Sequence, residues 1–573
     1  VGLIELKPGI APSKLSGAVK HLLALSSPET VNKNLEVKFR PLRTYHLDKD
    51  GGAVGKTLVI LSLVSLGILL MAVINFVNIM IGTSSYRIRE IGLRKVFGGR
   101  RIQLIIQYLT ESIVLTLGAA VLSLCFYMLF RPVFNEMLQT RLPSIYQFDG
   151  RQVGFLCILV IVVGSLAGIY PAFILSASEV VASVKGKVQV NGKDGWMRKV
   201  LLVLQFSVAM LVFIFAATIT RQVNYFFDKD LGYNREQLVV ISAFPKRWDS
   251  VGVEKMLSIR NGLLQIPAVQ DASLSFEIPE RTPPGGIQMT PTGSKDAHTL
   301  MVPTILVDEN YASTFGLKLL AGRFFKKNES GYTPGELVIS ESAMKAFGWK
   351  DAVGKQIQIQ GGGTSTIVGV IRDYNYASLH EAVGPLALFH VRDGLSYRYL
   401  TVKLKGGQSS NIEQLKNKWK EFSPNSPFEY FFMDEKFQSL YASELHLKQA
   451  AVMATGLMGL IVMLGIFGVL TLALVRRTKE IAMRKVLGAG ARHIVILFIR
   501  QYAALIGIAI LIAWPFGYLL TNRWLEQYAY RIPQNAGNYL MVGAVVSAAS
   551  FLLIGLQCMK VALTNPVKSL KSE

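Results

Sequence analysis

The feature that most constrains this sequence is a set of seven apolar runs, each about as long as a helix needs to cross a membrane. The runs lie at 57–82, 102–130, 153–176, 199–220, 447–475, 493–520 and 537–560. A helix of about twenty apolar residues spans the ~30 Å hydrocarbon core of a bilayer. Ordinary globular sequence, residues 221–446, separates the fourth run from the fifth. The pattern predicts an α-helical integral membrane protein with a substantial water-soluble part.

Positive charge is concentrated between these runs. The formal net charge is +23. Lys and Arg cluster in the C-terminal tail and in three short segments, 84–101, 177–199 and 476–492. Loops 131–152 and 521–536 are much less basic. Because basic loops remain on the cytoplasmic side of a membrane, we predict that the basic segments are cytoplasmic and that residues 1–56 and 221–446 are extracytoplasmic. This distribution also argues against nucleic acid as a partner.

Two of the basic segments contain an internal repeat. RIREIGLRKVFGG at 87–99 aligns without a gap with RTKEIAMRKVLGA at 477–489, and 477 − 87 gives an offset of 390 residues. The residues shared by both copies are Arg87, Glu90, Ile91, Arg94, Lys95, Val96 and Gly98, which recur as Arg477, Glu480, Ile481, Arg484, Lys485, Val486 and Gly488. Each copy follows one apolar run and precedes two more. We call these segments the first elbow (87–99) and the second elbow (477–489).

The repeat extends beyond the elbows in both directions. LKPG at 6–9 resembles LKGG at 404–407, and SEVVASVK at 178–185 resembles TNPVKSLK at 564–571. The repeating unit is a lead-in helix, an extracytoplasmic domain and three spanning helices. The first unit lacks the lead-in helix and most of the soluble domain, so we expect sequence to be missing before Val1 and a full chain to have eight spanning helices.

The elbow sequence predicts a short charged helix bent against a membrane helix. Glu90 and Arg94 are spaced to pair on one helical face. Gly98 and Gly99 are expected to end the helix, because glycine readily adopts the left-handed cap conformation. The apolar residues Ile91 and Leu93 do not continue into one stripe with Val96, and the segment suits docking into a groove of a partner. The alternative is a basic loop that only anchors topology, but anchoring needs charge and not a repeated sequence.

The E-I-x-x-R-K-V-x-G motif in each unit resembles that of the MacB/FtsX-like family of ABC transporter permeases, in its large, internally duplicated form. The resemblance covers nearly the whole chain. It implies that each elbow is a coupling helix that docks onto a separate cytoplasmic ATPase subunit, two copies of which would bind ATP and Mg²⁺. The contact residues implied in this way are Arg87, Glu90, Arg94, Lys95, Gly98, Arg477, Glu480, Arg484, Lys485 and Gly488.

The soluble stretch supports the same resemblance. Its pattern predicts a strand, a helix and a strand near each end: 237–242, 251–266 and 269–276, then 399–405, 410–421 and 427–433. This is a split α+β domain with an insert, which resembles the extracytoplasmic domain of MacB-like permeases. The insert carries VDENY at 307–311 and IVGVIRDYN at 367–375.

The resemblance implies five domains. They are a remnant of a first extracytoplasmic domain (1–56), a first FtsX-like three-helix unit (57–180), a cytoplasmic linker with the lead-in helix (181–220), the MacB-like extracytoplasmic domain (221–446) and a second FtsX-like unit (447–573).

Sequence signals for catalysis are weak. DGGAVGKT at 50–57 is close to the P-loop pattern, but Asp50 replaces the first glycine of that pattern. The segment also begins a membrane helix on the extracytoplasmic side, where ATP is not expected. The histidines are scattered, so no metal site is predicted. We expect the chain itself to bind no cofactor and to be no enzyme. Polar residues inside the apolar runs are candidates for a transport pathway, namely Glu111, Arg500 and Gln501.

Two functions fit these features. The first is a permease of a bacterial inner membrane that exports or extrudes drugs, peptides, lipids or lipoproteins by moving its extracytoplasmic domains, with a possible periplasmic adaptor and outer-membrane duct, amid membrane lipids. The alternative is an FtsX-type regulator that activates a periplasmic partner such as a cell-wall hydrolase. An enzyme is the weakest alternative.

Overall fold

The structure is a computed structural model, and the residues it describes extend from Ile4 to Leu563 with gaps. They are 4–7, 13–26, 39, 41–42, 53–138, 141–177, 193–243, 248–283, 285–292, 299–326, 333–406, 409–424, 426–488 and 490–563.

Long helices account for all of the predicted spans. The helices that contain them are α2 (Ala53–Val96), α3 (Arg101–Leu138), α4 (Gly150–Ala177), α5 (Lys193–Asp228), α12 (Ala442–Arg476), α14 (Ala491–Leu525) and α15 (Ala536–Ala562). Within the described residues, these seven helices are long and apolar enough to cross a membrane. The prediction of seven spans is confirmed. A further helix, α1 (Ser13–Ser26), precedes them.

The chain packs as two compact units. One comprises Val1–Phe213, Gln449–Leu511 and Gly543–Glu573, and the other comprises Ile214–Lys448 and Ile512–Val542.

In the first unit, α3 and α4 approach closely because α4 presents glycines to α3. A Cβ on Gly164 would lie 2.9 Å from Ile113 Cα, and one on Gly168 would lie 2.7 Å from Ser112 Oγ. Small residues of this kind allow membrane helices to pack backbone to backbone.

The second unit contains the α+β domain predicted from the sequence. Its split half is formed by β1 (Leu238–Ser242), α6 (Ser250–Leu263), β2 (Val269–Ser275), β10 (Tyr399–Leu404), α10 (Ser409–Phe422) and β11 (Tyr430–Phe432). The strands pair antiparallel in the order β11-β1-β10-β2. Both helices bury apolar residues against the sheet, including Leu257 of α6 and Trp419 of α10. All six predicted elements of this half are present, within a few residues of their expected bounds.

The insert forms a closed ring of strands. Its elements are β3 (Gly286–Pro291), β4 (Leu300–Val307), α7 (Tyr311–Phe315), β5 (Leu319–Gly322), β6 (Glu336–Ser340), α8 (Glu341–Ala346), β7 (Gln356–Ile359), β8 (Thr364–Ile371), β9 (Ala387–His390) and α9 (Val391–Gly394). The order β4-β3-β7-β8-β6-β9 closes because β9 also pairs with β4, and β5 adds to β8. Met289, Ile339 and Ile367 lie in its apolar core. Helix α11 (Met433–Leu440) follows β11 and leads into α12.

A buried ionic cluster joins the insert to the split half. Arg260 of α6 contacts Asp308, which follows β4, through Nη1 and Oδ2 at 2.5 Å, and Glu309 through Nη2 and Oε1 at 2.7 Å. Asp308 is fully buried and also accepts hydrogen bonds from Ser273 Oγ and the amide of Leu274. The strands β2 and β4 also pair at Ser275 and Val307, and the amide of Asp308 donates to the carbonyl of Leu274 at 3.0 Å, so the cluster adds a buried ionic contact to backbone bonds at the junction.

Candidate functional site

The two elbows have the same sequence pattern but different helical organisation. In the second, α13 (Thr478–Val486) is a separate short helix, and Arg477 alone separates it from α12. The amide of Arg477 is shared between the carbonyls of Ala473 and Leu474, at 3.2 and 3.1 Å, which interrupts the regular hydrogen-bond ladder. In the first, α2 runs without a break from Ala53 to Val96. The prediction of a separate short helix is therefore right for the second elbow and wrong for the first.

Both elbows end at a glycine in the left-handed conformation, as predicted. Gly98 has φ of 87° and Gly488 has φ of 93°. The amide of Gly98 donates to the carbonyl of Lys95, and the amide of Gly99 donates to that of Arg94, at 3.1 and 2.9 Å. This pair of bonds is a Schellman cap. A side chain at either positive-φ glycine would strain the backbone, so the turn into the next membrane helix depends on glycine.

The described residues of each elbow include a surface ion pair. Arg94 Nη2 lies 2.7 Å from Glu90 Oε1, and Arg484 Nη2 lies 2.7 Å from Glu480 Oε1. Arg94 also donates to Gln107 Oε1 of α3 at 2.6 Å. Solvent-exposed pairs of this kind add only a few tenths of a kcal/mol to a helix. They orient the charges more than they hold the fold together.

The remaining predicted elbow residues have less uniform surroundings. The guanidinium of Arg477 lies 5.7 Å from the ring centroid of Phe498. Lys95 and Lys485 are half-buried. The side chain of Arg87 lies outside the described residues.

Each elbow also presents an apolar triad at matching repeat positions. Leu93, Val96 and Phe97 form the first triad, and Met483, Val486 and Leu487 form the second, at the offset of 390. All six side chains are exposed, and Phe97 and Leu487 are both 86% exposed. Positions i, i+3 and i+4 share one face of a helix. The triad is a different set from Ile91, Leu93 and Val96, which were expected not to form one stripe, because Phe97 takes the place of Ile91 on this face.

In the second elbow, apolar residues are divided between two faces. Ile481 and Ala482 are buried, whereas the triad is exposed. One face of α13 therefore packs against the protein, and the face that carries the triad is exposed.

The helices that carry the elbows touch directly. A Cβ on Gly82 of α2 would lie 2.3 Å from Leu472 Cδ1 of α12, and residues 82 and 472 are again 390 apart. Arg476 Nη2 donates to the carbonyl of Gly82 at 2.5 Å. Because Gly82 has no side chain, α12 can pack closely against α2 just before each chain segment reaches its elbow.

Comparison with protein-family models accounts for most of the chain in three parts. The FtsX-like permease C-terminal model matches residues 62–180 and again 452–566, so each match contains one elbow. The MacB-like periplasmic core domain matches residues 201–421. The chain belongs to the MacB/FtsX-like family of ABC transporter permeases. This permease is a multi-pass membrane protein with an extracytoplasmic domain, and its family implies a partner ATPase.

Solved structures with similarity to this permease include three domains from bacteria. The periplasmic region of MacB from Actinobacillus actinomycetemcomitans is 18% identical, with 36% of this chain and 94% of that chain covered and a TM-score of 0.27. A domain of a putative permease protein from Porphyromonas gingivalis is 16% identical, with coverages of 34% and 88% and a TM-score of 0.25. The extracellular domain of the noncanonic ABC-type transporter YknZ from Gram-positive bacteria is also 16% identical, with coverages of 34% and 97% and a TM-score of 0.24. No curated protein matches the permease.

A loop of the extracytoplasmic domain, residues 376–384, is bonded to the ends of two membrane helices. The amide of Leu379 donates to the hydroxyl of Tyr441, next to α12, at 2.7 Å. The amide of Ala529, just after α14, donates to the carbonyl of His380 at 3.2 Å. His380 Nε2 lies 3.0 Å from Glu444 Oε1 of α12. We call these contacts the loop joint.

The lead-in helix α5 takes part in the same joint. Gln222 donates to the carbonyl of Tyr530 at 2.8 Å and accepts from the amide of Ile532 at 2.9 Å. The ring of Phe226 lies 5.1 Å from that of Tyr441 and 5.2 Å from that of Tyr528. Contacts from α5, from α12 and its preceding residue, and from the segment after α14 thus meet beside the loop of the domain.

The polar residues predicted inside the membrane lie in different surroundings. Glu111 is half-buried on α3, whereas Arg500 and Gln501 are exposed on α14.

A more buried set of amides was missed by the sequence reasoning. Asn78 of α2 and Gln205 of α5 are almost fully buried, and their polar side-chain atoms have no hydrogen-bond partner among the described residues. A Cβ on Gly465 of α12 would lie 2.4 Å from Gln205 Nε2 and 3.0 Å from Asn75 Oδ1. These residues could have been found in the sequence as uncharged amides within apolar runs. A search for charged residues overlooks them.

Proposed function

We propose that this chain transmits the ATP-driven closure of a separate cytoplasmic ATPase to its extracytoplasmic domain, as the permease subunit of an exporter in the bacterial inner membrane. The observation that carries the proposal is the pair of exposed apolar triads, Leu93/Val96/Phe97 and Met483/Val486/Leu487, at matching repeat positions. A side chain that is buried on docking contributes roughly 1.5–3 kcal/mol. Three partly exposed side chains per elbow therefore favour an apolar groove on a partner over contact with water.

The charges around each triad suit the same partner. The Glu90–Arg94 and Glu480–Arg484 pairs keep both signs of charge beside the apolar face. An apolar centre with a polar rim is the usual composition of a protein interface. Two such surfaces on one chain support two ATPase copies, with ATP and Mg²⁺ bound by those subunits.

The path from the elbows to the other side of the membrane is built from continuous helices. Helix α12 comprises 35 residues, which makes it about 52 Å long at 1.5 Å per residue. Its cytoplasmic end contacts α2 at Gly82, and its other end bears Glu444 in the loop joint. A displacement that brings the two elbows together would move α12, and α12 would carry it to loop 376–384.

We propose export or extrusion as the result of this motion. The substrate classes are drugs, peptides, lipids or lipoproteins. A periplasmic adaptor and an outer-membrane duct are the further partners that we propose. The domain bounds given for 1–56, 57–180, 181–220, 221–446 and 447–573 form part of this proposal. Activation of a cell-wall hydrolase would use the same transmission path, and capture of a hydrolase through residues 221–446 would favour it instead.

The proposal is tested by a triple variant of the second elbow, Glu480→Ala with Arg484→Ala and Lys485→Ala. We expect the protein to insert and fold normally, because Glu480 and Arg484 pair at the surface and Lys485 is only half-buried, but to lose association with its cognate ATPase and stimulation of ATP hydrolysis in proteoliposomes. A matched control removes the same charges from α10 of the soluble domain, Glu421→Ala with Lys416→Ala and Lys418→Ala, and should leave both activities unchanged. Normal ATPase binding and stimulation in the elbow variant would refute the coupling role.

A further inference from the structure

A polar cleft of about 410 Å³ lies where the lead-in helix α5 enters the extracytoplasmic domain. The loop that follows α5, residues 229–236, forms one wall. Gly316, Lys318 and Arg372 of the insert form the other. None of these residues belongs to the elbows or to the loop joint, and the coupling proposal does not use the cleft.

The lining is unbalanced in charge. Lys229, Arg235, Lys318 and Arg372 contribute four cations, whereas Asp230 and Glu236 contribute two carboxylates. Asp230 Oδ1 already accepts a hydrogen bond from the amide of Gly232 at 2.9 Å. The cleft thus has an excess of positive charge and more donors than acceptors.

Among the residues that the structure describes, no carboxylate forms an ion pair with these cations. Lys229 Nζ lies 4.4 Å from the ring centroid of Tyr530. Arg235 packs on the ring of Phe437 at 4.0 Å and donates through Nη2 to the carbonyl of Phe227, but its buried Nη1 has no acceptor among the described residues. Lys318 and Arg372 are exposed, and the described residues provide neither of them with an ion pair. An anion with several oxygens would satisfy these donors, since guanidinium and ammonium groups bind phosphate and carboxylate most strongly.

The position of the cleft beside a candidate membrane span narrows the ligand further. The span in α5 covers Trp196–Asp228, and Lys229, the next residue, lines the cleft. Lipid headgroups occupy the layer in which such a span ends. The head of an anionic amphiphile in the extracytoplasmic leaflet is therefore within reach of the cleft.

We infer that this cleft binds the phosphate or carboxylate head of an anionic amphiphile, such as a lipid, in the extracytoplasmic leaflet. Lys318 and Arg372 supply the cations of one wall, and Lys229 and Arg235 supply those of the other. The inference extends beyond the coupling proposal and does not rest on it, because binding requires no ATPase.

The test measures binding to the full chain in a neutral maltoside detergent. The probes are dihexanoyl phosphatidylglycerol, dihexanoyl phosphatidylcholine and glycerol phosphate, each titrated by microscale thermophoresis. The variant is Lys318→Ala with Arg372→Ala. Its matched control, Lys350→Ala with Lys416→Ala, removes the same charge from exposed positions elsewhere on the domain. An unchanged thermal unfolding profile for both variants verifies that they are folded.

We expect the anionic lipid to bind more tightly than the zwitterionic lipid, and the cleft variant to weaken the anionic lipid about tenfold or more while the control binds like the wild type. If glycerol phosphate binds as tightly as the anionic lipid, the amphiphile is refuted as the source of the anion. If the cleft variant binds the anionic lipid like the wild type, or if both lipids bind equally, the site itself is refuted.

Discussion

Replacement of Arg260 by methionine should strongly destabilise the extracytoplasmic domain. The side chain of Arg260 is 4% exposed and faces Asp308, which is fully buried, and Glu309. Methionine retains much of the apolar volume but removes the guanidinium. Two carboxylates are then left in the interior without their cation, at the junction between the insert and the split half of the domain.

The size of the effect follows from this burial. Removal of one partner from a buried ion pair costs about 3–5 kcal/mol, because the remaining charge is left uncompensated. For a domain of roughly 150–250 residues, each kcal/mol lowers the unfolding midpoint by about 2–4 °C. We therefore expect the midpoint to fall by roughly 6–20 °C.

The assay is brief trypsin digestion of the full chain in detergent across a temperature series, which reports unfolding of the soluble domain. Arg392→Met is the matched control. Arg392 pairs with Glu254 at 2.6 Å, but both side chains are substantially exposed, and such pairs contribute at most about 1 kcal/mol. The variant with Arg260→Met, Asp308→Asn and Glu309→Gln should regain part of the loss, because the unpaired charges are neutralised.

The refuting result is an equal shift for Arg260→Met and Arg392→Met. It would mean that the carboxylates at the junction are hydrated and that the ionic cluster does not hold the insert to the split half. A triple variant no more stable than Arg260→Met would separately contradict the role of uncompensated charge.

Two further predictions concern pH and helix packing. Burial by itself would raise the pKa of Glu309, but hydrogen bonds from His390 and Arg260, with the charge of Arg260, hold it well below its ordinary value of 4.5. The stability from this group is therefore complete above pH 4.5 and lost as pH falls below it. In thermal unfolding followed by tryptophan fluorescence, which can be measured at acid pH, the midpoint of wild type should fall more steeply below that pH than the midpoint of Glu309→Gln, and parallel curves would contradict this. Gly82→Leu should separate α2 from α12 and lower ATPase stimulation severalfold, because even a Cβ there would lie 2.3 Å from Leu472 Cδ1. Gly118→Leu, on an open face of α3, is the control, and equal stimulation by the two variants would contradict a role for the helix contact.

Much of the elbow could be predicted because its features are local in sequence. The Glu–Arg spacing and the terminal glycines determine the ion pairs and caps, and the structure has both. The exposed triad could not be predicted, because its exposure depends on which face of the helix packs against the protein. In the second copy the packed face is the one that carries Ile481, and Leu93 and Phe97 of the first copy lie on the other face. The uninterrupted α2 was missed because the repeat suggested that two similar sequences have the same helix breaks.

The sequence by itself determined the spanning helices, the two elbows, the repeat and the split α+β half. Each of these depends on composition or periodicity within about twenty neighbouring residues, where apolar length and residue spacing act directly on the backbone. Only the tertiary structure decided the closure of the strand ring through β4 and β9, the burial of Arg260 with Asp308, and the approach of Gln205 to Gly465. These contacts join residues tens to hundreds of positions apart. Whether a charge or an amide is buried there, and what faces it, is set by how the distant segments pack.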